Sequence, residues 1–228
     1  MCADRGCGER RSDSRAVYTV NRGEILMKSY VIARKKADFS WEQIPKAQLE
    51  HTGWLPTTAV KAWAQLAYDE EFLYVKMSAE ETDIHAEFTG LLDQPCMDSC
   101  LEFFVSPMPE EDRYFNVEFN ANKCMYLGIG SGKNDLVRLL PNDGKTEFGC
   151  PEALRNAAGW EICYRIPADF IRLFFPAFVL QPRKKLRANF YKCGELCKER
   201  HYMAWNPVNS EKPNFHRPWD FGELILGE

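Results

Sequence analysis

The sequence has no long hydrophobic run. Its longest apolar stretch, residues 170–180, is interrupted by Arg172 and Pro176 and is too short to span a bilayer. Residues 1–26 alternate arginine with acidic and small residues and lack the hydrophobic centre of a secretory signal peptide. We therefore expect a cytoplasmic protein that does not insert into a membrane.

The chain also lacks an excess of positive charge. Its 29 lysines and arginines are outnumbered by 33 acidic residues, which gives a formal net charge of -4. This balance provides no long-range attraction for phosphate backbones or anionic lipids. Nucleic acids and membrane surfaces are therefore not expected as partners, and the composition leaves the oligomeric state open.

Histidine is scarce, and no histidine lies in a recognisable nucleophile motif. A hydrolytic triad needs a histidine within reach of a nucleophile and an orienting carboxylate, but the chain has four histidines only: His51, His85, His201 and His216.

The glycine-rich segment 128–133 ends in lysine, as a phosphate-binding loop does. Leu127 and Asn134 occupy the positions where such a loop requires Gly and Ser or Thr. The sequence thus gives no positive evidence for nucleophilic catalysis or nucleotide binding.

The nine cysteines are scattered along the chain, and their number is odd. This usage is typical of reduced thiols in a cytosol rather than of a disulfide-stapled scaffold. Cys193, Cys197 and His201 follow one another at spacings that could suit zinc, and Cys96 and Cys100 repeat the spacing. Zinc knuckles usually space their cysteines more closely, so we interpret these residues as small buried thiols and loop residues and predict no metal ligands.

The N-terminal segment differs from the rest of the chain. Residues 1–26 are polar and rich in arginine and glycine, without a periodic apolar pattern. We predict that they form a disordered extension and that translation naturally starts at Met27. Residues 27–228 contain no internal repeat, low-complexity tract or linker, so we predict one domain there.

Short alternating patterns dominate residues 27–228. In residues 72–79, Leu73, Val75 and Met77 share one face, and an acidic turn connects this strand back to residues 62–68 as a hairpin. The other predicted strands cover residues 30–32, 100–106, 114–121, 124–128, 160–166, 186–192, 202–205 and 221–226.

Helical spacing is convincing only in residues 167–174, which begin with proline. Residues 206–220 contain three prolines and are predicted to form a long ordered loop. Many short strands and little helix indicate an all-β fold. We predict an antiparallel, jelly-roll-like β-sandwich with one or two short helices.

Carboxylates and amides recur on two of the predicted strands. Glu102 lies within an apolar strand, while Asn116, Glu118 and Asn120 alternate on one face of the next strand. Planar amides and carboxylates on a rigid strand can hold sugar hydroxyls, because each group makes two hydrogen bonds. The same carboxylates could form the acid–base pair of a glycosidase, or lie on a solvated sheet face.

Aromatic residues concentrate towards the C-terminus, namely Tyr191, Trp205, Phe215 and Trp219. The last three flank a proline-stiffened loop that also contains Asn206, His216 and Arg217. An aromatic plane beside fixed polar groups suits an uncharged, hydroxyl-rich ligand, because the ring covers the C–H face of a sugar. Core packing is the competing interpretation, above all for Trp205, which lies inside a strand pattern.

Six short runs in a fixed order resemble the family-nine carbohydrate-binding modules. They are DSCLEFF at 98–104, YFNVEFN at 114–120, NFYKCG at 189–194, WNP at 205–207, FHRP at 215–218 and FGEL at 221–224. The likeness covers residues 27–228, and the acidic strand and the closing strand are its most specific parts. The chain is similar to the short, free-standing bacterial members of that family.

The resemblance implies a β-sandwich that binds sugars without cleaving them, typically with structural calcium. In the family, two tryptophans enclose a terminal sugar. The resemblance also assigns the family's sugar-binding positions to residues of this chain. Glu102 stands at the position of the sugar-bonding glutamate, Asn116 at that of an arginine and Phe215 at that of one clamp tryptophan, while a glutamine of the family falls near Tyr191. The second tryptophan falls near Cys96, where no aromatic residue stands, and no aspartate-rich loop for calcium is evident.

Our leading hypothesis is a non-catalytic carbohydrate-binding protein. Its predicted ligand-binding residues are Glu102, Asn116, Glu118, Tyr191, Trp205, Phe215, His216 and Arg217. The second hypothesis is a small glycoside hydrolase-like enzyme that uses Glu102 and Glu118 as acid and base. The third is a haem- or metal-binding relative of the same sandwich with Cys, His or Met ligands. The sequence establishes no cofactor, and calcium is implied by the resemblance alone.

Overall fold

A computed structural model describes residues 27–57, 59–140 and 149–228, with the backbone alone at 149 and 150. The predicted disordered extension, residues 1–26, lies outside these residues. Thirteen strands are described: β1 Ser29–Arg34, β2 Ala47–Gln48, β3 Lys61–Tyr68, β4 Phe72–Glu80, β5 Ser99–Ser106, β6 Tyr114–Asn120, β7 Met125–Gly130, β8 Val137–Arg138, β9 Gly149–Asn156, β10 Gly159–Pro167, β11 Lys185–Gly194, β12 His201–Ala204 and β13 Gly222–Leu226. One α-helix, α1 Ala168–Phe174, and 3₁₀ turns at Trp41–Gln43, Pro95–Met97 and Pro218–Asp220 accompany them.

The strands form one curled sheet in the order β8-β7-β6-β5-β11-β13-β1-β3-β4-β10-β9, with β12 on β11 and β2 on β3. The main hydrophobic core contains buried residues from both ends of this order, such as Phe103 and Phe119 from one end and Val75 and Ile162 from the other. The sheet therefore folds over on itself, and its two halves enclose the core between them. The predicted all-β fold is confirmed.

Strand β1 joins the two halves and departs from the predicted antiparallel pairing. Its residues Ser29 to Ile32 pair with β13, and Ala33 and Arg34 pair with β3, both in parallel. Parallel pairing brings together strands that are distant in sequence, and no local turn signal could reveal it. The other strand pairs are antiparallel. The jelly-roll detail stays a prediction.

The alternation of buried and partly exposed residues explains the strands in the half of the sheet that contains β4 and β10. The side chains of Leu73, Val75 and Met77 are buried on one face of β4, as predicted. On β10, Trp160, Ile162, Tyr164 and Ile166 are buried in the same way. The β3–β4 hairpin is confirmed, with Asp69 accepting hydrogen bonds from the backbone of its turn. The pattern does not predict β2, β8 or β9.

The other half is buried on both faces. On β5, Leu101 and Phe103 enter the main core, whereas Cys100 and Phe104 belong to a second, smaller cluster. The segment 206–220 lies over this outer face, because its Phe215 packs in the smaller cluster. Contacts within the segment fix it, including Asn206 Nδ2 donating to the Asp220 carbonyl at 2.7 Å. The predicted ordered loop and the helix after Pro167 are both confirmed.

A buried ion pair connects the two halves inside the sandwich. Lys192 Nζ on β11 lies 3.1 Å from Glu81 Oε2, which directly follows β4, and neither side chain is exposed beyond 2%. Lys192 Nζ also lies 2.8 Å from His201 Nε2 and donates to the Cys193 carbonyl at 2.9 Å. Trp160 Nε1 donates to Glu81 Oε1 at 2.5 Å. Both charges are therefore satisfied by several partners.

The described helices are all too short, and none is apolar enough over a sufficient length, to cross a bilayer. The six cysteines whose side chains the structure describes are free: Cys96, Cys100, Cys124, Cys163, Cys193 and Cys197.

Candidate functional site

A pocket of about 370 Å³ opens on the outer face of β5, β6 and β11, beneath the 206–220 segment. Its volume falls within the range of small-molecule sites, roughly 300–1,000 Å³. The pocket is lined by Cys96, Met97, Glu102, Glu118, Lys133, Cys193, Glu195, Arg200, Tyr202, Pro213, Asn214, Phe215 and His216. Four of the predicted site residues therefore meet there: Glu102, Glu118, Phe215 and His216.

Two carboxylates lie side by side on the pocket wall. Glu102 on β5 and Glu118 on β6 are directly opposed in the antiparallel register, so their side chains leave the same face of the sheet. Glu102 is 2% exposed and Glu118 is 6% exposed. Burial, reinforced by the neighbouring Glu118, raises the pKa of Glu102 well above its usual range. Burial likewise raises the pKa of Glu118 to about 7.

The hydrogen bonding of these carboxylates is incomplete. Asn116 Nδ2 donates to Glu118 Oε1 at 2.9 Å, and the Cys193 thiol donates to Glu102 Oε1 at 2.9 Å. Glu118 Oε2 and Asn116 Oδ1 have no hydrogen-bond partner. Within the described ranges, neither carboxylate forms an ion pair with lysine or arginine. Most buried polar atoms in proteins are hydrogen-bonded, so unpartnered acceptors at a pocket wall are available to a ligand.

Aromatic rings support the other side of the pocket. Phe215 stacks on Tyr191 with ring centroids 4.0 Å apart and planes 10° from parallel. Tyr191 Oη also donates to the Phe215 carbonyl at 3.1 Å, which fixes the backbone of the loop. Trp54 and Tyr202 contact the Phe215 ring at centroid distances of 5.7 and 6.2 Å. The loop aromatic is thus held by a rigid cluster of rings.

His216 closes the pocket beside Phe215. Its Nδ1 lies 2.9 Å from Tyr114 Oη, and its ring lies 5.1 Å from that of Phe104. Burial lowers the pKa of His216 to about 4, because the charged imidazolium is poorly solvated there. The imidazole is therefore neutral at pH 7.

The structure does not bring the remaining predicted residues to the pocket surface. Asn116 and Tyr191 lie behind it and position Glu118 and Phe215. Trp205 packs against Phe190 in the main core and is 4% exposed, so the aromatic-platform interpretation of Trp205 is corrected to a core role. Arg217 turns to Asp220, with Nε 2.5 Å from Oδ2, and lies over the Trp219 ring.

Several pocket residues were missed by reasoning from the sequence. Tyr202 on β12 is directly opposed to Cys193 on β11, and its hydroxyl hydrogen-bonds to Glu195 and Arg200. Only the pairing of β11 with both β5 and β12 brings these residues to the carboxylates. Cys96, where the resemblance places the second clamp ring, lines the same pocket as Phe215. That carry-over by position could have identified Cys96 as a pocket residue.

The structural calcium implied by the resemblance needs a suitable donor set. Among the described residues, the group of three or more Cys, His, Asp and Glu side chains that converges is Cys100, Glu102 and Cys193. Calcium takes about six to eight oxygen ligands and has little affinity for thiols. This donor set does not fit calcium, and a calcium site stays a prediction from the resemblance.

Comparisons with known proteins agree with this fold. The model of the family described as carbohydrate-binding family 9 matches residues 29–226. The chain is also similar to the structure of a candidate carbohydrate-binding protein from Bacteroides uniformis, with 24% identity, a TM-score of 0.72, and coverage of 88% of this chain and 100% of that chain.

Two structures of a family 9 module from Caldicellulosiruptor kristjanssonii are similar as well. The complex with cellotriose has 13% identity, a TM-score of 0.64 and coverage of 88% of this chain and 94% of that chain. The complex with glucose has 12% identity, a TM-score of 0.62 and coverage of 88% and 97%. At these identities the structural likeness establishes the β-sandwich fold alone. No relative was found among curated proteins.

Proposed function

The chain belongs to carbohydrate-binding family 9, and from that premise we propose that it binds a neutral sugar, without cleaving it, in the pocket of Glu102, Glu118 and Phe215. The observation that carries the proposal is the meeting of buried, incompletely hydrogen-bonded carboxylates with a fixed aromatic cluster in one concavity. A sugar presents both hydroxyl groups and an apolar C–H face, and these two kinds of wall complement it.

The proposed roles follow from the contacts of each side chain. Glu102 and Glu118 accept hydrogen bonds from sugar hydroxyls, and the free Oε2 of Glu118 is the acceptor with the most unused capacity. Phe215 provides apolar surface at the pocket wall, and Tyr191 holds it in place. Lys133 and Arg200 also line the pocket and can donate hydrogen bonds to ring or hydroxyl oxygens. Trp205 and Arg217 are left out of the site.

Calorimetric titration of the full chain tests the proposal. Glucose and cellotriose, the ligands present in the two similar family 9 structures, are the first probes, followed by other mono- and oligosaccharides. Glu102→Gln should weaken the binding by about tenfold or more, because a hydrogen bond to a carboxylate contributes about 1.5–3 kcal/mol.

Glu161→Gln is the matched control. Glu161 lies on β10 in the other half of the sandwich, where it pairs with Lys76 at 2.8 Å, so its replacement should leave the sugar affinity unchanged. Folded protein that binds no sugar, or equal loss of affinity in both variants, would overturn the proposal.

A hydrolytic role for Glu102 and Glu118 gives a different outcome in the same protein. If the protein released the chromophore from nitrophenyl glycosides, and Glu102→Gln abolished this release, the two carboxylates would act as the acid–base pair of a hydrolase and the protein would not be a binding module.

We also propose a bacterial source, on the basis of the resemblance, and a cytoplasmic location, on the basis of the cysteine usage. Cell fractionation with an antibody to the chain tests the location.

A further inference from the structure

Three potential metal ligands converge at the inner end of the pocket. The Sγ atoms of Cys100 and Cys193 and a carboxylate oxygen of Glu102 all lie within 4.8 Å of one another. Cys100 and Cys193 are directly opposed on β5 and β11, and Glu102 lies two residues further along the same face of β5. The rigid sheet therefore fixes the positions from which all three side chains extend.

Two sulfur donors and one oxygen donor select for a particular kind of ion. Calcium and magnesium prefer oxygen ligands, whereas zinc and related borderline-soft cations accept thiolate and carboxylate together in a tetrahedral arrangement. We propose that Cys100, Glu102 and Cys193 form a binding site for a zinc-type divalent cation at the inner end of the pocket.

The pocket provides access to this site. Glu102 and Cys193 line the pocket, so an ion can reach their ligand atoms without unfolding the sheet. Three protein ligands leave a tetrahedral ion with one further position, as in zinc sites that keep an exchangeable ligand. Glu118, directly opposed to Glu102, is more than nine-tenths buried and carries an Oε2 atom with no hydrogen-bond partner. That oxygen, or a ligand oxygen in the pocket, can complete the coordination.

The ligand set differs from the one that cysteine spacing along the chain indicates. Cys197 Sγ lies 3.2 Å from Ser99 Oγ, and His201 Nε2 lies 2.8 Å from Lys192 Nζ. Both residues therefore belong to the network around the buried ion pair rather than to the pocket. Cys193 is thus separated from Cys197 and His201 and brought together with Cys100 and Glu102.

Cobalt(II) is the probe for this site, because thiolate ligation gives it intense near-ultraviolet charge-transfer absorption and a tetrahedral visible spectrum. Reduced, metal-free full chain should bind one Co²⁺ per chain with both signatures, and Zn²⁺ should displace it. The titration uses a Cys2→Ser, Cys7→Ser background so that the two N-terminal thiols do not contribute. In this background, Cys193→Ser and Glu102→Gln should each weaken Co²⁺ binding by at least about tenfold. Removing a residue that only hydrogen-bonds to a metal ligand already weakens metal binding by about 10–100-fold, so the loss of a ligand should cost no less.

Cys163→Ser is the matched control, because Cys163 is a free cysteine on β10 in the other half. It should leave the cobalt spectrum unchanged. The proposal is overturned if folded, reduced protein gives no thiolate band, or if the band survives in Cys193→Ser. Circular dichroism of each variant separates loss of the site from loss of the fold. The cobalt spectrum is recorded without sugar. A failure to bind cobalt and a failure to bind sugar can therefore be told apart.

Discussion

Two groups of buried polar side chains lie on opposite sides of the sheet near β11 and differ in how completely they are paired. The first, the core ion pair, consists of Glu81 and Lys192 with hydrogen bonds from Trp160 and Ser99. The second, the pocket carboxylates, consists of Glu102 and Glu118. The alternation of β11 separates the two groups, because Lys192 points to one face and Cys193 to the other.

The pocket carboxylates have no counter-charge of the kind that Lys192 provides. Their partners are the Asn116 amide and the Cys193 thiol, and one oxygen of Glu118 has none. An internally satisfied network gains nothing by binding a ligand, whereas an incompletely satisfied one can gain hydrogen bonds or a cation. The comparison teaches that the core ion pair serves the fold and the pocket carboxylates serve binding.

Removing the cation of the core ion pair should have the largest effect. Lys192→Met leaves Glu81 as an uncompensated buried charge, so we expect the free energy of unfolding to fall by about 3–5 kcal/mol. Urea denaturation measures the change. Lys185→Met on the same strand is the control: Lys185 is 60% exposed and pairs with Glu223, so its loss should cost less than about 1 kcal/mol. Equal costs for the two variants would remove the distinction between the core ion pair and a surface pair.

Acid should destabilise the protein through the histidine at the pocket. His216 has a pKa of about 4 in the folded protein and an ordinary value of 6.5, so between these pH values the unfolded state binds more protons. Stability is therefore lost as the pH falls from 6.5 towards 4, by at most about 1.4 kcal/mol per pH unit from this group.

The variant His216→Asn isolates that contribution. It lacks the titrating group, so the free energy of unfolding of the wild type should fall relative to that of the variant as the pH falls through this interval. Denaturation at several pH values measures both slopes, and His201, Glu102 and Glu118 titrate in both proteins, so their contributions cancel in the difference. Parallel slopes would contradict the assignment.

Glu102→Gln should change stability much less than Lys192→Met does. Glu102 has no ion-pair partner among the described residues, and glutamine keeps an acceptor for the Cys193 thiol, so no buried charge loses its compensation. We expect the free energy of unfolding to change by less than about 1 kcal/mol. A loss as large as that of Lys192→Met would mean that Glu102 stabilises the fold.

Arg217→Ala should have the smallest effect. The Arg217 side chain pairs with Asp220 at the partly exposed surface and does not line the pocket, so sugar affinity should stay within about twofold of wild type. Calorimetry checks the affinity, with Glu102→Gln as the variant that must differ. A tenfold loss in Arg217→Ala would return this residue to the site.

The sequence predicted best the strands that bury one face only. The alternation of apolar and polar residues located β4 and β10, because each has one strongly buried face. Two-residue strands such as β2 have no period to detect, and the parallel pairing of β1 depends on distant partners. The antiparallel neighbours Glu102 and Glu118 lie on consecutive strands, so their proximity was within reach of the sequence.

Three features of this protein follow from the sequence alone: the carboxylate and amide side chains on β5 and β6, the proline-stiffened loop, and the resemblance to the family. Residue type and the local alternation of apolar and polar residues suffice for all three. The tertiary structure decided which side chains share the pocket. It placed Trp205 in the core and Phe215 at the pocket, although only ten positions separate them. It also inserted β11 beside β5, which brought Cys193 to Glu102 across 91 residues of chain. Such contacts depend on the order of strands in the sheet, which no local pattern encodes.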